Sequence, residues 1–233
     1  MMKAMRIAEV FYSIQGEGKL MGVPSVFVRT SGCNLRCAWC DTPYASWRPE
    51  GEELSIEQIT AGARRWPASH VVVTGGEPMI APDIASLCGE LKSAGLHVTL
   101  ETAGTIFHPV AADLASISPK LANSTPREGE AARFARAHEE HRLNPDALQR
   151  FIDSCPDFQL KFVLAAPGDL AEVRQVLGAL RGWSPDDVLL MPEGTTAAAL
   201  AARSPWIVDA CKETGFRYCP RLHVEIWGNR RGV

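Results

Sequence analysis

The amino-acid sequence predicts an α/β fold: a partial, open TIM-type barrel of about six parallel strands with helices on the outside. Short apolar, β-branched runs alternate with segments of helical periodicity along most of the chain. This alternation is typical of β–α–β units around a parallel sheet. Six strands are too few to close an eight-stranded barrel, so the sheet is expected to stay open.

The predicted elements follow one another in a regular order. The strands are predicted at Ser25–Thr30, His70–Thr74, His97–Glu101, Ala115–Ser118, Gln159–Leu164 and Val188–Met191. The helices are predicted at Ser55–Trp66, Pro82–Ala94, Asp169–Leu180 and Thr196–Thr214. Ser55 and Gln58 have the spacing of a capping box, and Gly95 and Gly215 follow helices as C-terminal stops. An aromatic-rich strand is also predicted within Phe216–Val233.

The composition indicates one globular domain over residues 1–233. Hydrophobic residues make up 46% of the chain and charged residues 22%, which are ordinary values for a folded globular protein. A polar and charged segment at about residues 123–157 interrupts the strand–helix alternation. It predicts an exposed helical insertion after the fourth predicted strand.

Charge and hydropathy exclude several classes of partner. The net charge of -3 gives no basic surface for nucleic acid. No apolar run approaches the roughly 20 residues of a membrane-spanning helix, and the N-terminus lacks the apolar core of a signal peptide. We therefore expect a cytoplasmic protein without a nucleic-acid or membrane partner.

Three of the seven cysteines form a metal-binding pattern. Cys33, Cys37 and Cys40 make the motif CxxxCxxC in a loop after the first predicted strand. Thiolates are the ligands of iron–sulfur clusters, and three of them leave one iron of a four-iron cluster open to an exogenous chelate. S-adenosylmethionine can occupy that position through its amino and carboxylate groups.

Two other interpretations of the cysteines are weaker. A structural zinc site needs four ligands, commonly in separated pairs, and no second CxxC or nearby histidine pair follows. The second alternative, buried thiols, is weaker for the motif because its cysteines lie in a loop. It is the better interpretation for the other four cysteines, which are scattered along the chain: Cys88, Cys155, Cys211 and Cys219.

The cysteine motif, with Trp39 before its last cysteine, resembles the signature of the radical S-adenosylmethionine (SAM) superfamily. A second element, Thr74-Gly75-Gly76-Glu77-Pro78, ends the second predicted strand. In that superfamily the GGEP element binds the amino group of the cofactor's methionine moiety. The resemblance implies the radical SAM fold, a 4Fe-4S cluster and S-adenosyl-L-methionine as cofactors.

Further motifs resemble one family of the superfamily, the 7-carboxy-7-deazaguanine synthases of queuosine biosynthesis. These motifs are Tyr12-Ser13-Ile14-Gln15-Gly16-Glu17-Gly18, Phe27-Val28-Arg29-Thr30, Cys40-Asp41-Thr42, Glu101-Thr102-Ala103-Gly104-Thr105, Ser118-Pro119-Lys120, Leu222-His223 and the ending Trp227-Gly228-Asn229-Arg230-Arg231-Gly232-Val233. The resemblance runs from about residue 7 to the last residue and is weakest near 123–157.

The resemblance implies a lyase reaction. 6-Carboxy-5,6,7,8-tetrahydropterin would become 7-carboxy-7-deazaguanine with release of ammonia. A 5'-deoxyadenosyl radical would take hydrogen from the carbon that bears the carboxylate, Mg2+ would assist the ring contraction, and the cofactor would be regenerated.

The resemblance also implies roles for individual residues, with no catalytic group beyond the cofactor. Cys33, Cys37 and Cys40 would hold the cluster, and Thr42 the magnesium ion. The cofactor SAM would be bound by Trp39, Asp41, Gly75, Gly76, Glu77, Thr102, Ser118, Lys120 and Glu193. The substrate would be bound by Ile14, Gln15, Gly16, Glu17, Arg29, Thr74, His223 and Val233.

Residue chemistry agrees with several of these roles. Arg29 interrupts an apolar strand, and its planar fork suits a carboxylate. Thr42 offers the hard oxygen that magnesium prefers, although it could equally be a turn residue. His223 lies in a predicted strand, where a lone histidine is more often structural.

Two rival functions and several partners complete the expectations. A glycyl-radical activating enzyme would carry the same cysteine motif but act on a protein partner, and a zinc- or cluster-binding interaction module would not cleave the cofactor. The synthase interpretation implies an external electron donor, such as flavodoxin or ferredoxin, and a homodimer.

The cluster assignment gives a first prediction. Cys33→Ala, Cys37→Ala or Cys40→Ala should each abolish the visible absorption of the reconstituted cluster, because three ligands are the minimum that leaves one iron open. Cys88→Ala, Cys155→Ala, Cys211→Ala and Cys219→Ala are the controls and should keep it. Loss of iron in any control would contradict the three-ligand assignment.

Overall fold

Nine strands form one continuous sheet in the computed structural model of the protein, which describes residues 4–233. The strands are β1 (Ala4–Ile14), β2 (Pro24–Thr30), β3 (Glu52–Ser55), β4 (His70–Gly75), β5 (His97–Thr102), β6 (Leu114–Ile117), β7 (Asp157–Leu164), β8 (Val188–Pro192) and β9 (Arg217–Tyr218). Their order across the sheet is β3-β1-β2-β4-β5-β6-β7-β8-β9.

The sheet is mostly parallel and open. Strand β1 pairs antiparallel with β2 and β3, whereas β2 and β4 to β9 are parallel to one another. The six predicted parallel strands correspond to β2, β4, β5, β6, β7 and β8, so the predicted partial barrel is confirmed. Strands β1, β3 and β9 extend it at its two ends.

Eight α-helices connect the strands. They are α1 (Pro43–Ser46), α2 (Ile56–Ala63), α3 (Ile84–Ser93), α4 (Ala135–His141), α5 (Pro145–Ser154), α6 (Asp169–Gly178), α7 (Ala197–Thr214) and α8 (Leu222–Trp227), with four 3₁₀ turns at Pro78–Ile80, Ala122–Ser124, Gly129–Phe134 and Pro185–Asp187. Within residues 4–233, none of the helices has both the length and the apolar character needed to cross a bilayer.

Helices and sheet share one hydrophobic core. Ile59 of α2, Leu87 of α3, Phe151 of α5 and Val173 of α6 are fully buried and pack in one cluster with strand residues such as Val71. The apolar stripes of these four helices therefore cover the sheet, which is the layering that the strand–helix alternation predicted.

The predicted helix boundaries are present. Ser55 accepts a hydrogen bond from the backbone of Gln58, whose side chain accepts one from the backbone of Ser55, so the capping box at α2 is complete. Gly215 ends α7 with a φ of 76°, in the left-handed region, and Gly95 lies two residues after α3. These boundaries could be predicted from the sequence because capping side chains and terminal glycines act on residues next to them in the chain.

The segment at about residues 123–157 is helical, but the exposure predicted for it is wrong for its second half. Helix α5 begins at Pro145, with the side chain of Asn144 as its N-cap. Its residues Leu148 and Phe151 are 1% and 0% exposed. The polar composition obscured an amphipathic helix that occupies the connection between β6 and β7.

The aromatic-rich strand predicted near the C-terminus is also largely wrong. Only Arg217–Tyr218 is extended, and residues 222–227, including His223, form helix α8. The run from Leu222 to Trp227 alternates apolar and polar residues, which favoured a strand. Pro220 interrupts the extended chain because it has no N–H for a β-ladder.

The burial of α5 gives a stability prediction. Phe151→Ala should destabilise the apo protein by about 3–5 kcal/mol, since it removes a fully buried ring and leaves a cavity. Asp146→Ala, at an exposed position of the same helix, is the matched control and should change stability by less than about 0.5 kcal/mol. Thermal melting measures both, and equal melting temperatures for the two variants would exclude α5 from the core.

Candidate functional site

A cavity of about 430 Å³ opens at the carboxyl ends of the parallel strands. Its lining includes all eight residues predicted to bind the substrate: Ile14, Gln15, Gly16, Glu17, Arg29, Thr74, His223 and Val233. It also includes most of the residues predicted to bind cofactor or magnesium: Trp39, Asp41, Thr42, Gly75, Gly76, Thr102, Ser118, Lys120 and Glu193. The fold thus brings distant segments to one place, while their contacts with ligands stay predictions.

The three cysteines lie in the loop that connects β2 with α1, beside this cavity. All three are free thiols and half-buried. Cys33 Sγ accepts a hydrogen bond of 3.3 Å from the backbone N–H of Leu35, and Cys40 Sγ lies 3.0 Å from Ser46 Oγ. The N–H donor of Leu35 stabilises a thiolate at Cys33.

The loop fits an iron–sulfur cluster better than a single metal ion. In residues 4–233 no three His, Cys, Asp or Glu side chains are close enough to share one ion, whereas the thiolates of a cluster bind different irons. Burial raises the pKa of Cys33 to about 12 and that of Cys37 to about 11. Iron binding would therefore displace protons from these thiols.

The two glycines after β4 allow close backbone packing. A Cβ on Gly75 would lie 2.3 Å from the carbonyl oxygen of Thr30, and a Cβ on Gly76 would lie 2.0 Å from that of Gly32. The end of β4 can therefore pack directly against the start of the cysteine loop. The sequence indicated that these glycines let the backbone come close to a ligand. The structure shows that they are also needed where the end of β4 packs against the backbone of Thr30 and Gly32.

Glu77 lies beneath the cavity lining and not in it. Its carboxylate accepts hydrogen bonds from Thr102 Oγ1 at 2.7 Å and from the backbone N–H groups of Ala103 and Met79. It is 1% exposed, and burial raises its pKa. Glu77 therefore joins the ends of β4 and β5, and its predicted contact with the cofactor's ammonium stays a prediction.

Glu17 is the centre of a buried ionic network. Its carboxylate pairs with Lys161 of β7 and with Arg221 Nε at 3.0 Å. Burial alone would raise the pKa of Glu17, but the two cations outweigh it and hold the pKa well below its ordinary value. Arg221 also pairs with Asp41 and donates to the carbonyl of Gly194 at 2.6 Å.

His223 packs directly on Gly16. A Cβ at Gly16 would lie 2.0 Å from His223 Nδ1, so only glycine leaves room for the ring. The backbone N–H of Leu222 donates to the carbonyl of Gly16 at 3.0 Å. Burial lowers the pKa of His223, which favours a neutral ring beside the cavity.

Glu101 joins two of the predicted substrate residues. Thr74 Oγ1 donates to one of its oxygens at 2.9 Å, and Gln15 Nε2 donates to the other at 3.1 Å. Gln15 Oε1 in turn accepts from the backbone N–H of Glu17. These bonds hold the polar edge of the cavity in one arrangement.

Arg29 reaches the cavity with one side of its fork already paired. Its Nε donates to Glu9 Oε1 at 2.6 Å, and Tyr44 donates to the same oxygen at 2.7 Å. Burial alone would lower the pKa of Arg29, but Tyr44 and Glu9 raise it. Among residues 4–233 no side chain binds its terminal amino groups, which remain available to a ligand.

Several residues predicted to bind the cofactor also have partners within the protein. Lys120 Nζ donates to Ser118 Oγ at 2.8 Å and lies 5.6 Å from the centre of the Trp39 ring. The indole N–H of Trp39 donates to the carbonyl of Asn123 at 3.1 Å. Glu193 pairs with Arg203 at 3.0 Å.

Thr42 precedes α1 and lines the cavity near the cysteine loop. Its hydroxyl makes no capping bond to the helix and lies 3.9 Å from Cys40 Sγ. Its predicted contact with a magnesium ion stays a prediction.

The sequence analysis gave no role to three charged lining residues, Glu101, Lys161 and Arg221, or to Glu9, which binds Arg29 behind the lining. Lys161 had a usable signal, because it interrupts the apolar strand Gln159–Leu164 as Arg29 interrupts β2. Glu101 was quoted within a motif but received no role. Glu9 and Arg221 have no local pattern that distinguishes them from surface charges.

Comparison with known proteins identifies the family. Residues 27–123 match the radical SAM superfamily. A 7-carboxy-7-deazaguanine synthase from Rhodopirellula baltica is 46% identical and aligns with 97% of this chain and 88% of its own. The synthase from Halobacterium salinarum is also 46% identical, over 97% and 91% of the two chains. The synthase from Pyrobaculum aerophilum is 37% identical, over 97% and 96%.

The fold leads to the same result. The crystal structure of QueE from Escherichia coli superposes with a TM-score of 0.70 at 26% sequence identity, covering 94% of this chain and 95% of that one. Together with three relatives that align over almost the whole chain, this similarity shows that the chain belongs to the 7-carboxy-7-deazaguanine synthases of the radical SAM superfamily.

Proposed function

We propose that this chain is a carbon–nitrogen lyase that converts 6-carboxy-5,6,7,8-tetrahydropterin to 7-carboxy-7-deazaguanine and releases ammonia. One structural observation carries the proposal beyond family membership. All eight residues expected at the substrate line a single cavity beside the three-cysteine loop, although they come from positions 14 to 233 of the chain.

Arg29 would bind the carboxylate of the pterin. Among the described residues its two terminal amino groups make no hydrogen bond or ion pair, its guanidinium lies 5.7 Å from the centre of the Phe11 ring, and its Nε is fixed by Glu9. A guanidinium that is already oriented loses little side-chain freedom when a carboxylate binds its free side. The cavity therefore presents one pre-positioned cation to an acidic substrate.

The polar ring of the pterin would meet the wall formed by residues 14–17, Glu101 and His223. This wall offers a carboxylate that accepts from Thr74 and Gln15, a neutral imidazole, and the backbone of Ile14 to Glu17. Such a mixture of donors and acceptors can match the amide and amine groups of the ring. Val233 also lines the cavity and would contact the same substrate.

The cofactors would occupy the side of the cavity nearest the cysteine loop. Cys33, Cys37 and Cys40 would hold the 4Fe-4S cluster, while Trp39, Ser118 and Lys120 would contact S-adenosylmethionine. When bound, cluster and cofactor supply the one-electron chemistry that starts the reaction. The chain's own residues bind and orient both reactants.

Magnesium, the electron donor and the dimer belong to the same proposal. Thr42 lines the cavity and would offer magnesium a hard oxygen that makes no capping bond to α1. The cluster would need one electron from outside to reach its reduced, active form, for which flavodoxin or ferredoxin is a suitable donor; the electron would be returned when the cofactor is regenerated. The homodimer rests on the family resemblance alone.

The rival activity on a protein partner is not favoured. The aligned relatives share the synthase name over 97% of this chain. Anaerobic reconstitution, followed by incubation with the pterin, S-adenosylmethionine, a reductant and Mg2+, should yield 7-carboxy-7-deazaguanine and ammonia without a second protein. Cleavage of S-adenosylmethionine without this product would overturn the proposal.

The magnesium role of Thr42 gives a separate prediction. Thr42→Val keeps the shape of the side chain and removes the oxygen, so turnover should require a higher Mg2+ concentration. Thr42→Ser keeps the oxygen and should resemble the wild type. The test is activity measured against Mg2+ concentration for the wild type and the two variants. The cluster's visible absorption should be the same in all three, which shows that the neighbouring Cys40 still binds the cluster.

Superimposable magnesium curves for Thr42→Val and the wild type would make Thr42 a turn residue only. In that case the metal would be held by other oxygens of the cavity or of the substrate. The Thr42→Ser protein guards against a trivial explanation, because a change at this position that merely disturbs α1 would affect both variants.

A further inference from the structure

Residues 122–141, which we name the cap, cover the outer side of the cysteine loop. The cap consists of the 3₁₀ turns Ala122–Ser124 and Gly129–Phe134 and of helix α4. It lies in the part of the chain that resembles the family least. Besides a bond from Trp39 to Asn123, it contacts residues 36–38 of the loop, which do not line the cavity, so the proposed function does not account for these contacts.

The cap and its neighbours bind three backbone groups within residues 36–38, around Cys37. The N–H of Arg36 donates to His138 Nδ1 at 3.1 Å, and the N–H of Ala38 donates to the carbonyl of Ser124 at 2.8 Å. Between them, the carbonyl of Cys37 accepts from Trp47 Nε1 at 3.0 Å. The Leu35–Arg36 peptide group before Cys37 and the Cys37–Ala38 peptide group after it are thereby fixed.

Aromatic packing supports these bonds. The Phe134 ring of the cap meets Trp47 edge-on, with ring centres 5.6 Å apart and planes at 84°. The guanidinium of Arg36 lies 5.7 Å from the centre of the same ring. The cap thus supports the indole that binds Cys37 as well as the residue before it.

The hydrogen bonds of His138 determine its tautomer. Nδ1 must be an acceptor, because the Arg36 backbone can only donate. Nε2 then carries the proton and donates to Ser124 Oγ at 2.8 Å, and that hydroxyl donates to the carbonyl of Leu121 at 2.6 Å. Every donor in this chain has an acceptor, which is the requirement for a buried polar network.

His138 is buried as a neutral ring. It is 2% exposed, and burial lowers its pKa to about 4. Both ring nitrogens are hydrogen-bonded. These bonds fix the distance and the orientation of the cysteine loop relative to the cap more strictly than apolar packing would. The ring's one bond to the cysteine loop goes to a backbone group and leaves the thiols free.

We propose that His138 is a positioning residue for the cluster: by accepting from the Arg36 N–H, it keeps Cys37 in the place that cluster binding requires. This inference rests on the cluster assigned under the proposed function. It gives the cap a purpose, which is to hold the ligand loop from outside while the cavity side remains open to the cofactor.

The test uses two variants that separate the two nitrogens of the ring. His138→Asn places its oxygen where Nδ1 lies and can accept from Arg36. His138→Gln places its amide nitrogen where Nε2 lies and can donate to Ser124. His138→Ala removes both bonds, and His141→Ala, at an exposed position of the same helix, is the matched control.

Each protein is reconstituted anaerobically, and loss of the cluster's visible absorption to an iron chelator is timed well below the melting temperature of the apo protein. His138→Ala should lose its cluster about tenfold faster than wild type, as expected for a buried donor left unpaired. His138→Gln should behave like His138→Ala, whereas His138→Asn and His141→Ala should remain near wild type.

Equal rates for His138→Ala and wild type would overturn the inference. If His138→Ala does not fold, the other two substitutions decide: equally fast loss in His138→Asn and His138→Gln would show that the ring acts by packing alone. A wild-type protein that binds no cluster would instead refute the proposed function, so the two failures are distinguishable.

Discussion

The sheet of this barrel is open, and loops join its two ends. That connection depends on the buried charge of Glu17. Its carboxylate leaves water only because Lys161 of β7 and Arg221 before α8 neutralise it. A buried charge that loses its partner is strongly destabilising. The loop after β1 must therefore reach across to the opposite end of the sheet, where Lys19 also pairs with Asp157 and Asp187.

This closure determines the shape of the cavity. Arg221 pairs with Asp41 as well as with Glu17, so the cysteine loop, the loop after β1 and the C-terminal helix meet at one guanidinium. The ring of His223 follows two residues later and fits only because Gly16 has no side chain. A sheet that lacks the strands for full closure is thus completed by loops, and the loops carry the polar groups of the site.

Features that depend on neighbouring residues were predicted well from the sequence. Features that depend on contacts between distant segments were harder to predict. The β-branched strands, the capping box at Ser55 and the stop at Gly215 depend on neighbouring residues, and the structure contains all of them. The burial of Phe151 and the helical state of His223 depend on what packs against them from distant segments. Arg221 could not be found from its neighbours, because its partners are Glu17 and Asp41.

A second shared carboxylate, that of Glu9, links the other side of the cavity. It accepts from Arg29, from Tyr44 and, at 3.2 Å, from Arg231, which also lies 4.1 Å from the Tyr44 ring. The C-terminal tail and the cation expected at the substrate thus share one anion. Since Glu9 occupies only the Nε side of Arg29, a substrate carboxylate can bind the terminal amino groups without displacing it. The tail would then remain in place while the substrate binds, so the same contacts that orient Arg29 also keep Val233 at the cavity.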